Sequence, residues 1–490
     1  MRLTPALEDL YRDTHPRIVI QKAAQVGVSE YLINCALWVA ANHQGGRGNV
    51  LYLMPTQVAM DDFVQGRVDR AVAESPQLGA LVRPVRGKEK HPDRLRVKRV
   101  GEGYVYFRGA ESRRQVMTVD ADLVVLDEVD AMDEWVLTAA LKRLGSSSLG
   151  WLRVVSTPTI PEAGINALFL QSDQRHYLLP CARCTLKQLL SWEENVDVER
   201  KVLICRRCGE PLDVWAEGEW VAAKPGNSDV HGYHISKLYS PMASIAQLVR
   251  ASEGVGVHEQ QEFQRSDLGL VYVPAGGQLT IEDLDRCRRD YLMPDGSRDK
   301  TVMGVDVGTR LHVVIREKVG KGEPARALFI GILDDFEGLT KLVERYDVGH
   351  CVVDGQPEQR AASEFRRNAA SSRRVYLAYY SMREGDYRSE VGRGDDIDIN
   401  RTMAIEEMLD LVRRELTLLP KDARGLGGRV EGGIGEYYRE MRALVRQLEQ
   451  DSQGNWVSKY TDGGKADHFA HAEVYCMLAG LCARRRGIWV

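Results

Sequence analysis

Arg17-Ile18-Val19-Ile20-Gln21-Lys22-Ala23-Ala24-Gln25-Val26-Gly27-Val28-Ser29 decides the fold of the first half of this 490-residue chain. Arg17 to Ile20 is a β-rich run. A loop of small residues follows, and an apolar helix is expected from about Ser29 to Ala41. Gly45-Gly46-Arg47-Gly48 breaks the chain, and Asn49 to Met54 reads as a second buried strand. Strand, loop, helix, strand is a βαβ unit, which implies a parallel sheet. Between a strand and a helix, GxxxxGK[ST] marks a phosphate-binding loop. Gly27 and Ser29 fit that pattern, whereas Val28 occupies the usual lysine position and Lys22 the first glycine. The loop keeps one lysine, moved to its front edge. From there Lys22 reaches the phosphates, backbone N–H groups of Ala23, Ala24, Gln25, Val26, Gly27 and Val28 cradle them, and the Ser29 hydroxyl serves Mg²⁺.

The downstream sequence supports a nucleotide site. Leu123-Val124-Val125-Leu126-Asp127-Glu128 is a buried strand ending in two acids. Strand C-terminal ends are where α/β sheets bind ligands. Asp127 is expected to hold Mg²⁺ through water, and Glu128 to polarise the attacking water. Ser156-Thr157-Pro158 ends the next strand, where Thr157 can sense the γ-phosphate. Arg113 and Arg114 precede the acidic strand, and either is a candidate arginine finger.

Cys181-x₂-Cys184 and Cys205-x₂-Cys208 are separated by 20 residues, the spacing of a zinc ribbon. Four thiolates would close a tetrahedral Zn²⁺ site and leave no position open for catalysis. Cys35, Cys287, Cys351, Cys476 and Cys482 read as core or partly buried thiols. The cysteines and Trp192, Trp215 and Trp220 give residues 177–220 the look of a small inserted module.

A second α/β pattern begins at Thr301. Val302 to Asp306, Leu311 to Glu317 and Ala327 to Leu333 read as an antiparallel meander. Cys351-Val352-Val353 is a fourth strand and Val375 to Tyr379 a fifth, with helices near 400–416 and 466–483. Asp306 lies in the first strand, Asp354 ends the fourth, and Asp467 opens the last helix. Each alone would read as a strand end or helix cap. In this order, which is that of ribonuclease-H-like nucleases, the three suit a pair of Mg²⁺ or Mn²⁺ ions for phosphodiester cleavage. Asp395, Asp396, Asp398 and His471 are further candidate ligands, and a neighbour of Asp467 stays open as the third.

Composition limits the alternatives. The hydrophobic fraction of 44% and charged fraction of 28% describe a globular chain, and the length predicts two to four domains. No apolar run approaches the roughly 18–20 residues needed to span a bilayer, and Met1 to Pro5 lacks a signal-peptide core, so an intracellular protein is expected. The net charge of −4 excludes a globally basic surface but not local basic patches. Eight Lys/Arg between Arg83 and Arg99 face only Glu89 and Asp93, and Arg484-Arg485-Arg486 forms a second cluster. Either could contact phosphate backbones.

Together these residues resemble the large subunit of tailed-phage terminases, in particular the lambda-like gpA-type branch. The marks are Lys22 to Ser29, Leu123 to Glu128, Ser156-Thr157-Pro158-Thr159, the two CxxC pairs, His234-Ile235-Ser236-Lys237-Leu238-Tyr239-Ser240-Pro241, and the acids at 306, 354 and 467. The resemblance implies an α/β chain in which an N-terminal P-loop (ASCE-type) ATPase with a zinc-ribbon-like insert precedes an RNase H-like nuclease. The expected bounds are 1–176 for the ATPase core, 177–220 for the insert, 221–297 for a lid or linker and 298–490 for the nuclease. It also implies ATP·Mg²⁺ on Lys22 and Ser29, catalysis by Glu128, and nuclease metals on Asp306, Asp354 and Asp467. The implied partners are double-stranded DNA, a small terminase subunit and a portal ring on which the chain itself assembles as a ring. The implied location is the host cytoplasm, transiently at the procapsid. The competing readings are a cellular helicase–nuclease, which requires a second RecA-like domain, and a non-catalytic DNA-binding scaffold.

Overall fold

The computed structural model describes residues 4–83, 96–254, 256–320, 322–369, 373–381, 396–450 and 456–484. It divides into two compact units, Met1–Tyr272 and Val273–Val490. The division falls earlier than the expected boundary at 297. Leu279, Leu284 and Cys287 are fully buried in the second unit's core, and Arg289 N–H donates to Leu419 O, so this stretch is not a linker.

The first unit is built on one large sheet. Its strands are β1 (Arg17–Lys22), β2 (Asn49–Met54), β3 (Val82–Arg83), β4 (Val97–Val100), β5 (Gly103–Gly109), β6 (Leu123–Asp127), β7 (Trp151–Ser156), β8 (Arg175–Pro180), β9 (Lys187–Leu189), β12 (Glu219–Ala222) and β13 (His231–Ile235); β10 (Val196–Asp197) and β11 (Val202–Leu203) form a separate hairpin. The order is β12-β8-β13-β1-β7-β6-β2-β5-β4-β3, with β9 on the flank of β8. From β13 to β5 every pairing is parallel. Parallel strands must be covered on both faces, and alternation along each strand supplies both. Ile18 and Ile20 pack with the helix Val28–Asn42, while Val19, Val124 and Val154 pack on the opposite face with Ile165 and Phe169. The chain leaves β1 for β2 and returns to fill β6 and β7 between them. The ends of β1, β7 and β6 therefore lie side by side, carrying Lys22, Ser156 and Asp127.

The cysteine-bearing stretch is not a separable module. It enters on β8 and returns on β12, both strands of the main sheet. Trp220 packs edge-on against Tyr177 and Tyr233, and Trp192 against Phe263. Leu190, Val196 and Leu203 share a core with Leu238, Tyr239 and Leu248.

The second unit carries β14 (Thr301–Val307), β15 (Leu311–Glu317), β16 (Ala325–Leu333), β17 (Val348–Asp354), β18 (Arg374–Ser381), β19 (Asp396–Asn400) and β20 (Thr417–Leu418), in the order β19-β18-β17-β14-β15-β16-β20. β14, β15 and β16 form the antiparallel meander, and β17, β18 and β19 continue parallel to β14. Val445–Gln450 and Trp456–Thr461 form a separate antiparallel hairpin. Met303, Val305, Val353 and Leu377 face the helices Phe336–Arg345 and Gln359–Asn368. Val302, Val352 and Ala378 face the helices Arg401–Arg413 and His468–Arg484. Arg316, buried under that last helix, makes a bidentate pair with Glu473 at 2.9 and 2.6 Å, and Tyr437 donates to the same carboxylate at 2.6 Å. No helix among the described residues is long and apolar enough to cross a membrane.

Gly304 sets how closely the last helix lies on β14. A Cβ at this position would stand 2.1 Å from both Ala472 O and Cys476 N, which are backbone atoms of that helix. Backbone cannot give way as a side-chain tip does, so Gly304→Ala should destabilise the second unit by about 1–3 kcal/mol or more. Urea denaturation of the full chain checks this.

Candidate nucleotide and metal sites

Lys22 and Asp127 end strands two places apart, and alternation puts both on the sheet face covered by the helix Val28–Asn42. Both are buried, at 9% and 2% exposure. Burial pushes the Lys22 ammonium below its ordinary range, and Asp127 and Glu128 pull it back part of the way. Burial likewise raises Asp127, against the opposing pull of Lys22 and of a 2.8 Å hydrogen bond donated by Tyr52 Oη. Each of these two buried charges therefore meets its counter-charge, without which burial would cost several kcal/mol. Glu128 is exposed and left-handed at φ 65°, and its N–H donates to Val155 O, which turns the chain away from the strand just past Asp127.

The loop divides its amides between two tasks. Ala23 N–H donates to Ile235 O and Ala24 N–H to Ser266 O, so these two donors brace the loop instead of facing a phosphate. The expectation that all six amides cradle phosphate is corrected for Ala23 and Ala24, whose N–H groups are already engaged. Gln25 and Gly27 take positive φ, turning the chain into a helix whose first amides, at Val28, Ser29 and Glu30, have no helical acceptor. Beside the loop lies an apolar cleft of about 90 Å³, lined by Leu7, Val26, Gly27, Tyr239, Pro241 and Met242.

Asp130 was not foreseen from sequence, because its partners lie 29 and 35 residues away. Its carboxylate accepts from Thr159 N–H, Thr159 Oγ1 and Ile165 N–H at 2.8, 2.7 and 2.7 Å. Its own N–H donates to Ser156 Oγ at 3.3 Å. Asp130 thereby latches the loop after β6 to the loop that carries Thr157. Arg113 and Arg114 are both exposed on the short helix Arg113–Met117, and Arg113 lies over the Trp135 ring at 5.1 Å.

The four cysteines converge. Sγ–Sγ distances are 3.7 Å for Cys181–Cys208 and 3.6 Å for Cys184–Cys205, and all four ligand atoms lie within 4.8 Å of one another. A tetrahedron with zinc–sulfur bonds of about 2.3 Å has edges near 3.8 Å, so the donor set fits such an ion. All four thiols are free of disulfides.

In the second unit Val305 pairs with Val353, so Asp306 and Asp354 follow at the same level on neighbouring strands. By alternation both belong to the face of Gly304 and Val352, toward the last helix. Asp354 is pushed up to about 6 by burial, with the Asp306 charge adding to the effect. His468, the first residue of that helix, places Nδ1 2.9 Å from Asp306 and stacks on His312; Asp306, His312 and His468 form a potential ligand group. Asp467 turns instead to His471 at 3.0 Å and to Arg401 at 3.7 Å. His471 also contacts Tyr380 Oη at 2.7 Å. Asp396 pairs with Arg366, and Asp395 lies outside the described residues. A cavity of about 390 Å³ lies on the other face of this sheet, between helices Phe336–Arg345 and Gln359–Asn368, away from these acids.

Most of the basic stretch 83–99 and residues 485–486 also lie outside the described residues. The cations that are described are paired: Arg96 with Asp61 at 2.9 Å, Lys98 with Asp69 at 2.6 Å, and Arg99 with Glu102.

A parallel sheet with a lysine-bearing loop at a helix start, and paired acids two strands away, is the layout of P-loop type folds. Comparison with known proteins narrows the class. Residues 3–226 match the family described as phage terminase large subunit gpA, ATPase domain. The large terminase of bacteriophage HK97 superposes with a TM-score of 0.51 at 12% identity, over 98% of this chain and 95% of that one. The large terminase of a thermophilic bacteriophage matches with a TM-score of 0.36 at 13% identity, over 96% of this chain and 95% of that one. No curated protein matches the sequence. Residues 3–226 of the first unit thus match a terminase ATPase domain, and the likeness to the HK97 large terminase shows a shared fold over the chain.

The latch makes a direct prediction. Asp130→Ala leaves the partly buried amides of Thr159 and Ile165 and the Thr159 hydroxyl without their acceptor, at up to about 1–3 kcal/mol for each unsatisfied group. Thermal melting of the full chain should fall by several degrees, and ATP turnover should fall with it as the Thr157 loop loosens.

Proposed function

We propose that this chain is the motor of viral genome packaging, in which ATP hydrolysis by the first unit moves double-stranded DNA into a procapsid and the second unit cuts it. The buried Lys22–Asp127 arrangement at the head of the Val28–Asn42 helix carries the ATPase reading. The triphosphate docks on the amides from Gln25 to Ser29, with Lys22 at its front edge. Ser29 and Asp127 are the residues that would hold Mg²⁺, which when bound neutralises phosphate charge. Glu128, exposed just beyond Asp127, orients and polarises the attacking water. Thr157 senses the γ-phosphate, and Asp130 passes that signal between the two loops. The adenine occupies the apolar cleft beside Val26 and Tyr239. Arg113 or Arg114, both exposed, serves as the finger for a neighbouring subunit in a ring.

The nuclease reading rests on the pairing of β14 with β17. In chain order, the meander and its two parallel neighbours run third, second, first, fourth, fifth across the sheet, an order consistent with an RNase H-like domain. Asp306 and Asp354 would hold the nuclease Mg²⁺ or Mn²⁺, and the contact at 2.9 Å favours His468 beside Asp467 as the remaining donor. Such ions, when bound, stabilise the attacking and leaving oxygens. A helicase–nuclease would need a second RecA-like domain, and the antiparallel meander argues against one. The double-stranded DNA is held through its phosphates, without base readout. The chain works in the host cytoplasm, transiently at the procapsid, with a small terminase subunit and a portal ring, on which it forms its own ring.

Two experiments test this reading. Wild type, Glu128→Gln and Asp306→Ala are compared for DNA-stimulated ATPase and Mn²⁺-dependent plasmid cleavage. Glu128→Gln should lose ATPase at least a hundredfold and keep cleavage, and Asp306→Ala the reverse. If both mutants retain both activities, the assignments fall. The cysteine cluster should hold one structural Zn²⁺ per chain by elemental analysis. Cys184→Ser should lose that zinc and lower the melting temperature of the full chain, whereas Cys482→Ser should keep it.

A further inference from the structure

Arg67 is absorbed by none of the functions above. It lies in the π-helical turn Val64–Asp69, between the helices Gln57–Phe63 and Arg70–Glu74, and the buried Val64 and Val68 anchor that turn in the core beneath the phosphate-loop helix. Single π-turns inside α-helices recur at functional sites because the extra residue re-aims a side chain. The cations around this turn are occupied locally. Arg96 takes Asp61, Lys98 takes Asp69, and Arg70 takes Glu74 four residues on. Arg67 instead reaches across to the phosphate-loop helix, where Nη1 stands 3.3 Å from Glu30 Oε1. Glu30 directly follows Ser29 in the first turn of that helix. Its positive charge also acts on Lys22, Asp127 and Tyr52, holding the pKa of each of them lower.

An acid at a helix N-terminus is ordinarily favourable. A triphosphate docked on the same N-terminus is a denser anion and competes for the same cation. Arg67 and Glu30 are each about half exposed, so their pair is a weak surface contact that a phosphate can displace. The loop also leaves a charge to be supplied, because Val28 stands where a lysine would normally project from the first helical turn. We propose that Arg67 is a nucleotide-contacting residue acting in cis, which exchanges its contact with Glu30 for one with the terminal phosphate when ATP binds. Lys22 covers the triphosphate from the front of the loop, and Arg67 supplies the second positive charge from the side of β2 and β6. This assignment rests on the ATPase reading of the first unit.

The test is ATPase activity of Arg67→Ala and Arg67→Lys in the full chain, with wild type and Lys22→Ala as references and melting curves as a check on folding. Arg67→Ala should lower turnover about 10²- to 10³-fold, short of the largest arginine-finger effects, with less than a threefold rise in KM. Arg67→Lys should recover part of the loss, since it restores charge without the planar fork. Glu30→Gln, which removes only the resting partner, should lose at least tenfold less than Arg67→Ala. Mixing Arg67→Ala with Glu128→Gln subunits should restore no activity, as expected for a residue serving its own site. Turnover of Arg67→Ala within threefold of wild type, equal losses in Arg67→Ala and Glu30→Gln, or recovery on mixing would each overturn the proposal. Absence of ATPase in the wild type would instead defeat the ATPase reading itself.

Discussion

A buried ammonium facing a buried carboxylate is the constraint on which the first unit turns. Burial at 9% exposure depresses the Lys22 ammonium and Asp127 offsets part of that, while burial of Asp127 at 2% exposure is offset by Lys22 and by the hydrogen bond from Tyr52. Satisfying both requires β1 and β6 to present their ends on one face, with β7 between them. That requirement explains the crossing of the chain from β1 to β2 and back. It also explains why Ala23 and Ala24 give up their amides to Ile235 and Ser266. A loop that must hold a lysine at its entrance is braced there by backbone. Gly269 belongs to the same bracing. Its φ is positive, and a Cβ would stand 2.7 Å from Ala23 N, so no other residue lets that segment approach the loop.

The second unit depends on an analogous close approach. Gly304 lets the helix His468–Arg484 lie directly on β14, and that contact brings the start of the helix to Asp306. The Arg316–Glu473 pair fixes the middle of the same helix from within the core. Removing one member of such a buried pair is costly because the other charge is left unmatched. The placement of Asp306 beside His468 at the sheet edge is therefore set by packing several residues away.

Short-range signals carried much of this architecture in the sequence. The βαβ unit, the acidic strand Leu123 to Asp127, the meander and the CxxC pairs were all legible because their patterns close within a few residues or follow a fixed spacing. Long-range closure was not legible. The bracing of the loop by Ser266, the latch of Asp130 on Thr159 and Ile165, and the reach of Arg67 to Glu30 join residues separated by 29 to 242 positions. No local pattern marks them. The same reason explains the misplaced boundary. Met293-Pro294-Asp295-Gly296-Ser297 has the composition of a linker, yet the residues before it bury Leu284 and Cys287 in the second unit. His468 shows the limit at a finer scale. Next to an aspartate at a helix start it reads as an ordinary neighbour, and only the helix phase directs it, and not Asp467, at Asp306.

The displaced lysine is tested most directly by ATP turnover of Lys22→Ala in the presence of DNA. If Lys22 does the work that Val28 cannot, turnover should fall on the order of a hundredfold or more. The variant should still melt cooperatively, because Asp127, already raised by burial, can take up a proton once its counter-charge is gone. Turnover within threefold of wild type would contradict the account, because the loop would then be binding phosphate without the residue around which it is built.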